Sequence, residues 1–323
     1  MKVLVVTNMY PLPDQPAFGT FVKDQVDSLR QAGVEVDVFF VNGRKNKLNY
    51  LWGIFRFWVH LAKNRHYDLI HAHYVFPAII ARLQFWRPVV LTFHGVEIIN
   101  PARWLAILSR LVHPLCERVI VVSQREKDAL NDPAVVVIPC GTDFHDFQPI
   151  PLLEARAQLE LPMDKPLVLW AGEYWRAQKQ FHLVEESMAL VKERRPEAEL
   201  VVVSKQPHSV VPIYMSACDA LVLTSAYEGS PMVIKEAMAC NLPIVSTDVG
   251  DVPDVIGGVE GCYLVEPKAE DIADKLLRVL ADRRRTTGRE KIMHLSSHVI
   301  AQRIIAVYNE LCPPERQLKV AIG

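Results

Sequence analysis

The chain has no C-x-x-C pair. Its six cysteines stand alone at positions 116, 140, 218, 240, 262 and 312. That scatter argues against a zinc ribbon or a disulfide framework and fits a reducing compartment. Nor is either charge in excess: 36 Lys and Arg against 37 Asp and Glu leave a formal charge of −1. A dedicated nucleic-acid binder usually carries a strongly basic balance, so no nucleic-acid partner is expected. Long apolar runs are missing as well. Val3–Val6 ends at Thr7 and Asn8, which provides no apolar core of leader-peptide length. The longest apolar region, Leu51 to Ala62, is broken by Arg56 and His60, whereas a membrane span takes about 20 apolar residues. There are no internal repeats and no low-complexity tracts.

What is present is ordinary globular material in quantity. The 323 residues are 50% hydrophobic and 23% charged, enough for two domains of roughly 100–200 residues each. The near-zero charge hides an asymmetry. Residues 1–150 carry 16 basic and 13 acidic residues, net +3; residues 151–323 carry 20 and 24, net −4. Between Val38 and Val96 stand eight bases (Arg44, Lys45, Lys47, Arg56, Lys63, Arg65, Arg82 and Arg87) and a single acid, Asp68.

Short apolar runs alternate with amphipathic stretches along the whole chain. Val3–Val6, Val34–Val41, Leu69–Ala72, Val89–Phe93, Val119–Val122 and Val135–Ile138 read as buried parallel strands. Phe21–Ala32, Leu48–Lys63, Phe76–Phe85, Trp104–Cys116 and Glu126–Leu130 read as the helices between them, and Gly33 supplies a helix stop. A loop rich in Pro and Gly, Pro11 to Gly19, follows the first strand. Around residues 140–166 the alternation lapses into a linker bearing Pro149, Pro151, Pro162 and Pro166 and one short helix, Leu152–Gln158. The boundary is therefore set near 150. Strands at Leu167–Ala171, Leu200–Val203, Ala220–Leu223, Ile244–Ser246 and Tyr263–Val265 then resume the pattern. The helices beside them are Phe181–Glu193, Val210–Ala217, Val233–Ala239 and Glu270–Leu280, with a last one at about Val299–Leu311. The fold class is α/β, with two Rossmann-like domains, residues 1–150 and 151–323. Each has a crevice at its strand ends, and ligand is expected in the cleft where the two face each other.

The sharpest segment runs from Tyr227 to Cys240, after a strand and into a helix. Gly229 and Ser230 permit a tight turn, and the N–H groups around Met232 and Val233 then point out of a helix N-terminus, a ready anion site. Glu228 and Glu236 flank it. On a continuous helix eight residues rise about 12 Å, whereas glycosidase carboxylates stand roughly 5–9.5 Å apart. The pair suits two ends of an extended ligand better than two sides of one bond. The bland alternative is a Ser/Gly N-cap with two surface glutamates.

This stretch resembles the E-x7-E element of retaining family 4 glycosyltransferases with the GT-B fold. Its continuation, Asn241 to Pro253, is similar too. His71-Ala72-His73 and Thr92-Phe93-His94-Gly95-Val96-Glu97 resemble the family's strand ends in the first domain. Pro139-Cys140-Gly141-Thr142-Asp143 resembles its interdomain turn, and Ala306 to Leu311 its closing helix, which can pack back on the first domain. The resemblance implies that Glu236 holds the ribose hydroxyls of a nucleotide-sugar donor and that Glu228 contacts the donor sugar. The turn Gly229, Ser230, Pro231, Met232 and Val233 would carry the diphosphate and sugar on its amides. Arg176 and Lys179 would meet the departing phosphate, the first as a planar fork and the second as a point charge. In the commonest family pattern that Arg directly follows a Gly; here Glu173 follows Gly172. The Gly19-Thr20 turn would approach a phosphate, with a plain Thr20 N-cap as the alternative. His94 would lie beside the transferred sugar, or be a packed strand-end residue. His71 and His73 share one face of a strand, and two ligands do not make a zinc site; packing is the better reading of both. Where relatives carry a further strand–helix unit, only Ser204 to Ser209 joins Leu200–Val203 to Val210–Ala217.

The implied activity is retaining, metal-independent transfer of a hexose-type sugar from a nucleotide donor to a hydroxyl of a lipid-linked or polysaccharide glycan of the cell envelope. It needs no cofactor, no D-x-D metal motif is present, and the cations stabilise the leaving diphosphate. No convincing nucleophile stands out, so front-face attack through an oxocarbenium-like ion pair is expected. A non-catalytic nucleotide-sugar- or membrane-binding protein on the same scaffold is the alternative. A nicotinamide dehydrogenase fits less well, because Gly172-Glu173-Tyr174 lacks G-x-G-x-x-G.

The segment from Arg44 to His66 interleaves Tyr50, Trp52, Phe55, Phe57 and Trp58 with Arg44, Lys45, Lys47, Arg56, Lys63 and Arg65. Leu51, Phe55, Trp58 and Ala62 form one helical face. Either that face packs on the core behind a solvated basic side, or the helix rests on an anionic membrane surface. The expected place is the cytoplasm, with contact on the inner face of the plasma membrane.

Overall fold

The computed structural model describes residues 1–320 apart from Asp14, Pro16, Ala17, Arg65 and residues 100–102. Arg65 and part of the Pro11–Gly19 loop thus lie outside the described residues. Two compact units result, Met1–Gly141 with Ser297–Gly323, and Thr142–Ser296. The expected boundary near 150 is displaced to Gly141, and the last helix is counted with the first unit. One physical reason is Arg289, whose guanidinium donates to the carbonyls of Phe144 (2.7 Å) and Phe147 (2.6 Å). It holds the start of the linker on the second unit.

The first unit is a six-stranded parallel sheet of β1 (Lys2–Thr7), β2 (Glu35–Phe40), β3 (Leu69–His73), β4 (Val89–Thr92), β5 (Arg118–Val121) and β6 (Val136–Val137). Their order is β2-β1-β3-β4-β5-β6. Helices cover both faces, which is why β1, β3 and β4 are almost wholly buried and read as unbroken apolar runs. On one face Leu4, Val6, Ile70, Ala72 and Leu91 share a core with Phe57 and Leu61 of the helix Asn49–Lys63 and with Val75 and Ala78 of the helix Val75–Ala81. The intervening residues point to the other face, where the helices Thr20–Gln31 and Ser297–Asn309 pack together.

Three helices differ from their sequence reading. Trp104–Cys116 is expected, but the helix is Arg103–Val112, and a 3₁₀ turn with Pro114 in it, His113–Leu115, follows. Phe76–Phe85 is expected, but the helix is Val75–Ala81. The buried Gln84 side chain ends it, donating to the carbonyls of Ala81 and Arg87 while its own oxygen accepts from the N–H of Trp86 and Arg87. In Asn49–Lys63 the buried positions are Gly53, Phe57 and Leu61. Leu51, Phe55 and Trp58 stand outward at 65%, 62% and 40% exposure, so the alternative in which that face packs on the core is overturned. Among the described residues no helix is long and apolar enough to cross a membrane.

The second unit has five parallel strands, β7 (Leu167–Ala171), β8 (Glu199–Val203), β9 (Ala220–Leu223), β10 (Ile244–Thr247) and β11 (Cys262–Val265), in the order β11-β10-β9-β7-β8. Arg156, fully buried, donates to Asp219 (2.9 Å) and to the carbonyls of Pro162, Met163, Lys165 and Ala217. This satisfied charge fixes the proline-rich stretch before β7. From β8 the chain passes through a single 3₁₀ turn, His208–Val210, into the helix Val211–Ala217, the short connection that the sequence implies.

Candidate active site

In the second unit the chain leaves β9, turns at residues 228–231 and enters the helix Met232–Ala239. Glu228 therefore lies outside the helix. Pro231 is the capping residue, extended at ψ 116°, and no side chain caps the first turn. Amides at the helix start are thus left for an external acceptor. The loop after β10 presses on the same turn. Gly250 sits at φ +53°, and a Cβ there would come within 2.3 Å of the Gly229 carbonyl oxygen; only glycine fits both the conformation and the approach.

The 3₁₀ turn Ala177–Lys179 after β7 reaches this place from the other side. Ala226 N–H donates to the Gln178 carbonyl (2.8 Å) and the Thr224 hydroxyl to the Lys179 carbonyl (2.8 Å). The two loops are thereby clasped, and Lys179 Nζ lies 2.6 Å from Glu228 Oε1, which also accepts from Ser225 Oγ at 2.8 Å. Both charged side chains are at most 15% exposed, so water screens the pair little. The residues assigned to leaving phosphate and donor sugar are therefore direct neighbours that neutralise each other. Arg176 is different. It is half-exposed and paired at 3.3 Å with Glu173, the residue that departs from the family pattern.

Glu236 is buried on the helix, and its Oε1 lies 3.0 Å from His208 Nε2. Sequence reasoning did not single out His208; its only signal was its place in the shortened connection. Lys235 was missed too. Its side chain is fully buried, with Nζ 2.7 Å from Asp251 Oδ2 and 2.5 Å from Ser230 Oγ, while the Ser230 hydroxyl donates to the same carboxylate oxygen at 2.8 Å. A helix interior looks the same from sequence whether its lysine points out or in. Here it points beneath the 229–232 turn and braces Ser230.

In the first unit the imidazoles gather at the ends of β3 and β4. His71 bonds Tyr308 Oη (2.6 Å) and Thr92 Oγ1 (2.7 Å), and His73 Nδ1 meets His94 Nε2 at 3.0 Å. Burial holds all three rings neutral, with His73 brought down to about 3 and His71 and His94 well below the usual histidine range. His71 and His73 are thus packed, bonded residues. Glu97, quoted in the sequence motif without a role, accepts the His94 N–H at 3.1 Å, and burial pushes its carboxyl up to about 7. It ties down the loop that carries His94. Gly19 is the N-cap of Thr20–Gln31, at φ +69°, and a Cβ would strike the Tyr10 nitrogen at 2.4 Å. The alternative of a Thr20 N-cap is therefore corrected: Thr20 is the first helical residue, and no side chain caps the helix.

Among the described residues, the group of three or more carboxylates and imidazoles close enough to share an ion is Asp143, His145 and Asp146, all exposed. Asp143 already accepts the N–H groups of His145 and Asp146.

Residues 2–146 match the family model described as Glycosyltransferase Family 4, and residues 189–293 match that of Glycosyl transferases group 1. The chain is 24% identical to TuaC of Bacillus subtilis (strain 168), a glycosyltransferase named for teichuronic acid biosynthesis, over 86% of this chain and 89% of that one. Sucrose-phosphate synthase from Thermosynechococcus elongatus superposes with TM-score 0.81 at 22% identity, covering 96% of this chain and 99% of the other. HepE from Anabaena, solved with UDP and glucose, gives TM-score 0.71 at 18% identity, covering 96% and 100%. With one family model on each unit and folds of this kind matching nearly its full length, the chain belongs to the family 4 glycosyltransferases of the GT-B type.

Proposed function

We propose that this glycosyltransferase takes its sugar from a nucleoside-diphosphate donor and passes it, with retention and without a metal ion, to a hydroxyl of a lipid-linked or polysaccharide glycan of the cell envelope. The observation that carries the reading is the uncapped start of Met232–Ala239, with the Lys179–Glu228 pair beside it and the buried Glu236 further along the same helix. A diphosphate would take the free amides of Met232 and Val233. It would also draw Lys179 away from Glu228, freeing that carboxylate for sugar hydroxyls. Growing charge on the leaving phosphate then meets a cation and a helix N-terminus already in place, a contribution of about several kcal/mol. Glu236 is assigned to the ribose, with His208 orienting it. In the first unit His94 is assigned to the transferred sugar and the Gly19–Thr20 turn to a phosphate. Arg176 keeps its assignment to the leaving group, weakened by its pairing with Glu173. The UDP and glucose held by HepE support a nucleotide-sugar donor, and the naming of TuaC supports a glycan acceptor. The exposed face of Asn49–Lys63, with Lys45, Lys47, Arg56 and Lys63, is assigned to an anionic leaflet on the cytoplasmic side.

The test is turnover of a panel of nucleotide-sugars with glycan acceptors, with and without EDTA, and NMR of the anomeric configuration in the product. Transfer with retained configuration and no effect of EDTA is expected. Binding without turnover across the panel, or an inverted product, overturns the proposal.

A further inference from the structure

The first unit carries a second apolar surface, outside residues 44–66. The helix Arg103–Val112 buries Ser109 and Val112 and turns Trp104, Ile107 and Leu111 outward, each more than half exposed. Their spacing of three and four residues puts them in one stripe. Leu115, in the 3₁₀ turn just beyond, is also exposed.

This stripe is continuous with the other one. The helices Arg103–Val112 and Asn49–Lys63 both pack on Val75–Ala81. The rings of Tyr50 and Phe76 lie 5.0 Å apart and those of Phe76 and Trp104 6.4 Å apart, an aromatic chain from one outer helix to the other. The turn that Gln84 organises exposes Phe85 and Trp86, and Trp86 lies 5.4 Å from Trp58. Three elements on one face of the sheet thus hold large apolar side chains in water, far more than scattered surface residues need.

The charge around them is in basic excess. Between Val38 and Cys116 there are ten Lys or Arg and two acids, Asp68 and Glu97. Glu97 is buried, and Asp68 is bonded to the Arg316 guanidinium; just beyond this stretch Glu117 is paired with Arg82 and Asp132 with His113. Arg103 and Arg110 are exposed on the second helix, as Arg56 and Lys63 are on the first.

We infer that these three elements dock together, as one face, on an anionic lipid bilayer, with the aromatic and aliphatic side chains at the acyl boundary and the bases among headgroup phosphates. This rests on the membrane reading of residues 44–66 and adds to it the helix Arg103–Val112 and the Phe85–Trp86 turn. Aromatic and aliphatic side chains bordered by an excess of bases match the depth profile of such a surface.

The test is co-sedimentation of the full chain with vesicles of phosphatidylglycerol and phosphatidylcholine, or of phosphatidylcholine alone, at low and high salt. Sedimentation velocity without lipid runs alongside. One variant is Trp104→Ser/Ile107→Ser/Leu111→Ser; a second, Arg103→Glu/Arg110→Glu, alters exposed charge alone and serves if the first fails to fold. Salt-sensitive binding of the wild type to the anionic vesicles is expected, weakened at least about tenfold in each variant. Wild-type binding by both variants, with loss only on replacing Lys45, Lys47, Arg56 and Lys63 by Gln, overturns the extension and leaves the reading of 44–66 standing. No binding by the wild type overturns both. A lipid-free dimer that the triple variant disperses, without vesicle binding, makes the face a protein interface and also overturns the inference.

Discussion

Replacing Lys235 by Met is the sharpest test of how the turn at residues 228–231 is held. The ammonium is fully buried, and its partners are the Asp251 carboxylate at 2.7 Å and the Ser230 hydroxyl at 2.5 Å. Without it the Asp251 carboxyl stays buried with one remaining side-chain donor, Ser230, because its Oδ1 has no partner among the described residues. Removing one member of a buried pair costs about 3–5 kcal/mol. At roughly 2–4 °C per kcal/mol for a unit of this size, Tm falls by on the order of 10 °C. The double variant Lys235→Met/Asp251→Leu removes both charges and should recover most of that loss. Urea unfolding followed by circular dichroism reads the stability, and thermal shift with UDP reads the site. The single variant should bind UDP more weakly, since Ser230 and the amides after it lose their brace. A single variant within about 1 kcal/mol of wild type would refute the reasoning, as would a double variant no more stable than the single.

Other outcomes follow from the same geometry. Glu236→Ala should weaken UDP binding about tenfold or more, through loss of charge-assisted bonds; unchanged affinity in a folded variant removes Glu236 from the site. Lys179→Ala should lower kcat more than it raises the donor KM, because its charge matters most as the phosphate departs; equal kcat defeats the leaving-group role. Glu97 is raised by burial from 4.5 to about 7, so the folded chain holds this proton more tightly than the unfolded chain. Its stabilisation is complete below pH 4.5 and is lost as pH rises to about 7. Glu97→Gln should therefore gain stability relative to wild type at pH 8 compared with pH 5; a pH-independent difference between the two rules this out.

Period and punctuation in the sequence were enough for the parallel sheets, because strands covered on both faces must be apolar throughout. Leu167–Ala171 and Ala220–Leu223 have the bounds read from the residues, and the other strands differ only at their ends. The helix start after Gly229 was legible too, because glycine and proline punctuate the chain locally. Tertiary structure alone decided which charges meet. Lys179 and Glu228 are 49 residues apart and Lys235 and Asp251 are 16, and no local pattern encodes pairs made by separate loops. Nor could helical periodicity say which way Asn49–Lys63 faces. Gly53, Phe57 and Leu61 make one stripe and Leu51, Phe55 and Trp58 another. A helix apolar on two sides buries whichever side fits the sheet, and here the sheet took the stripe with the glycine and left the tryptophan outside.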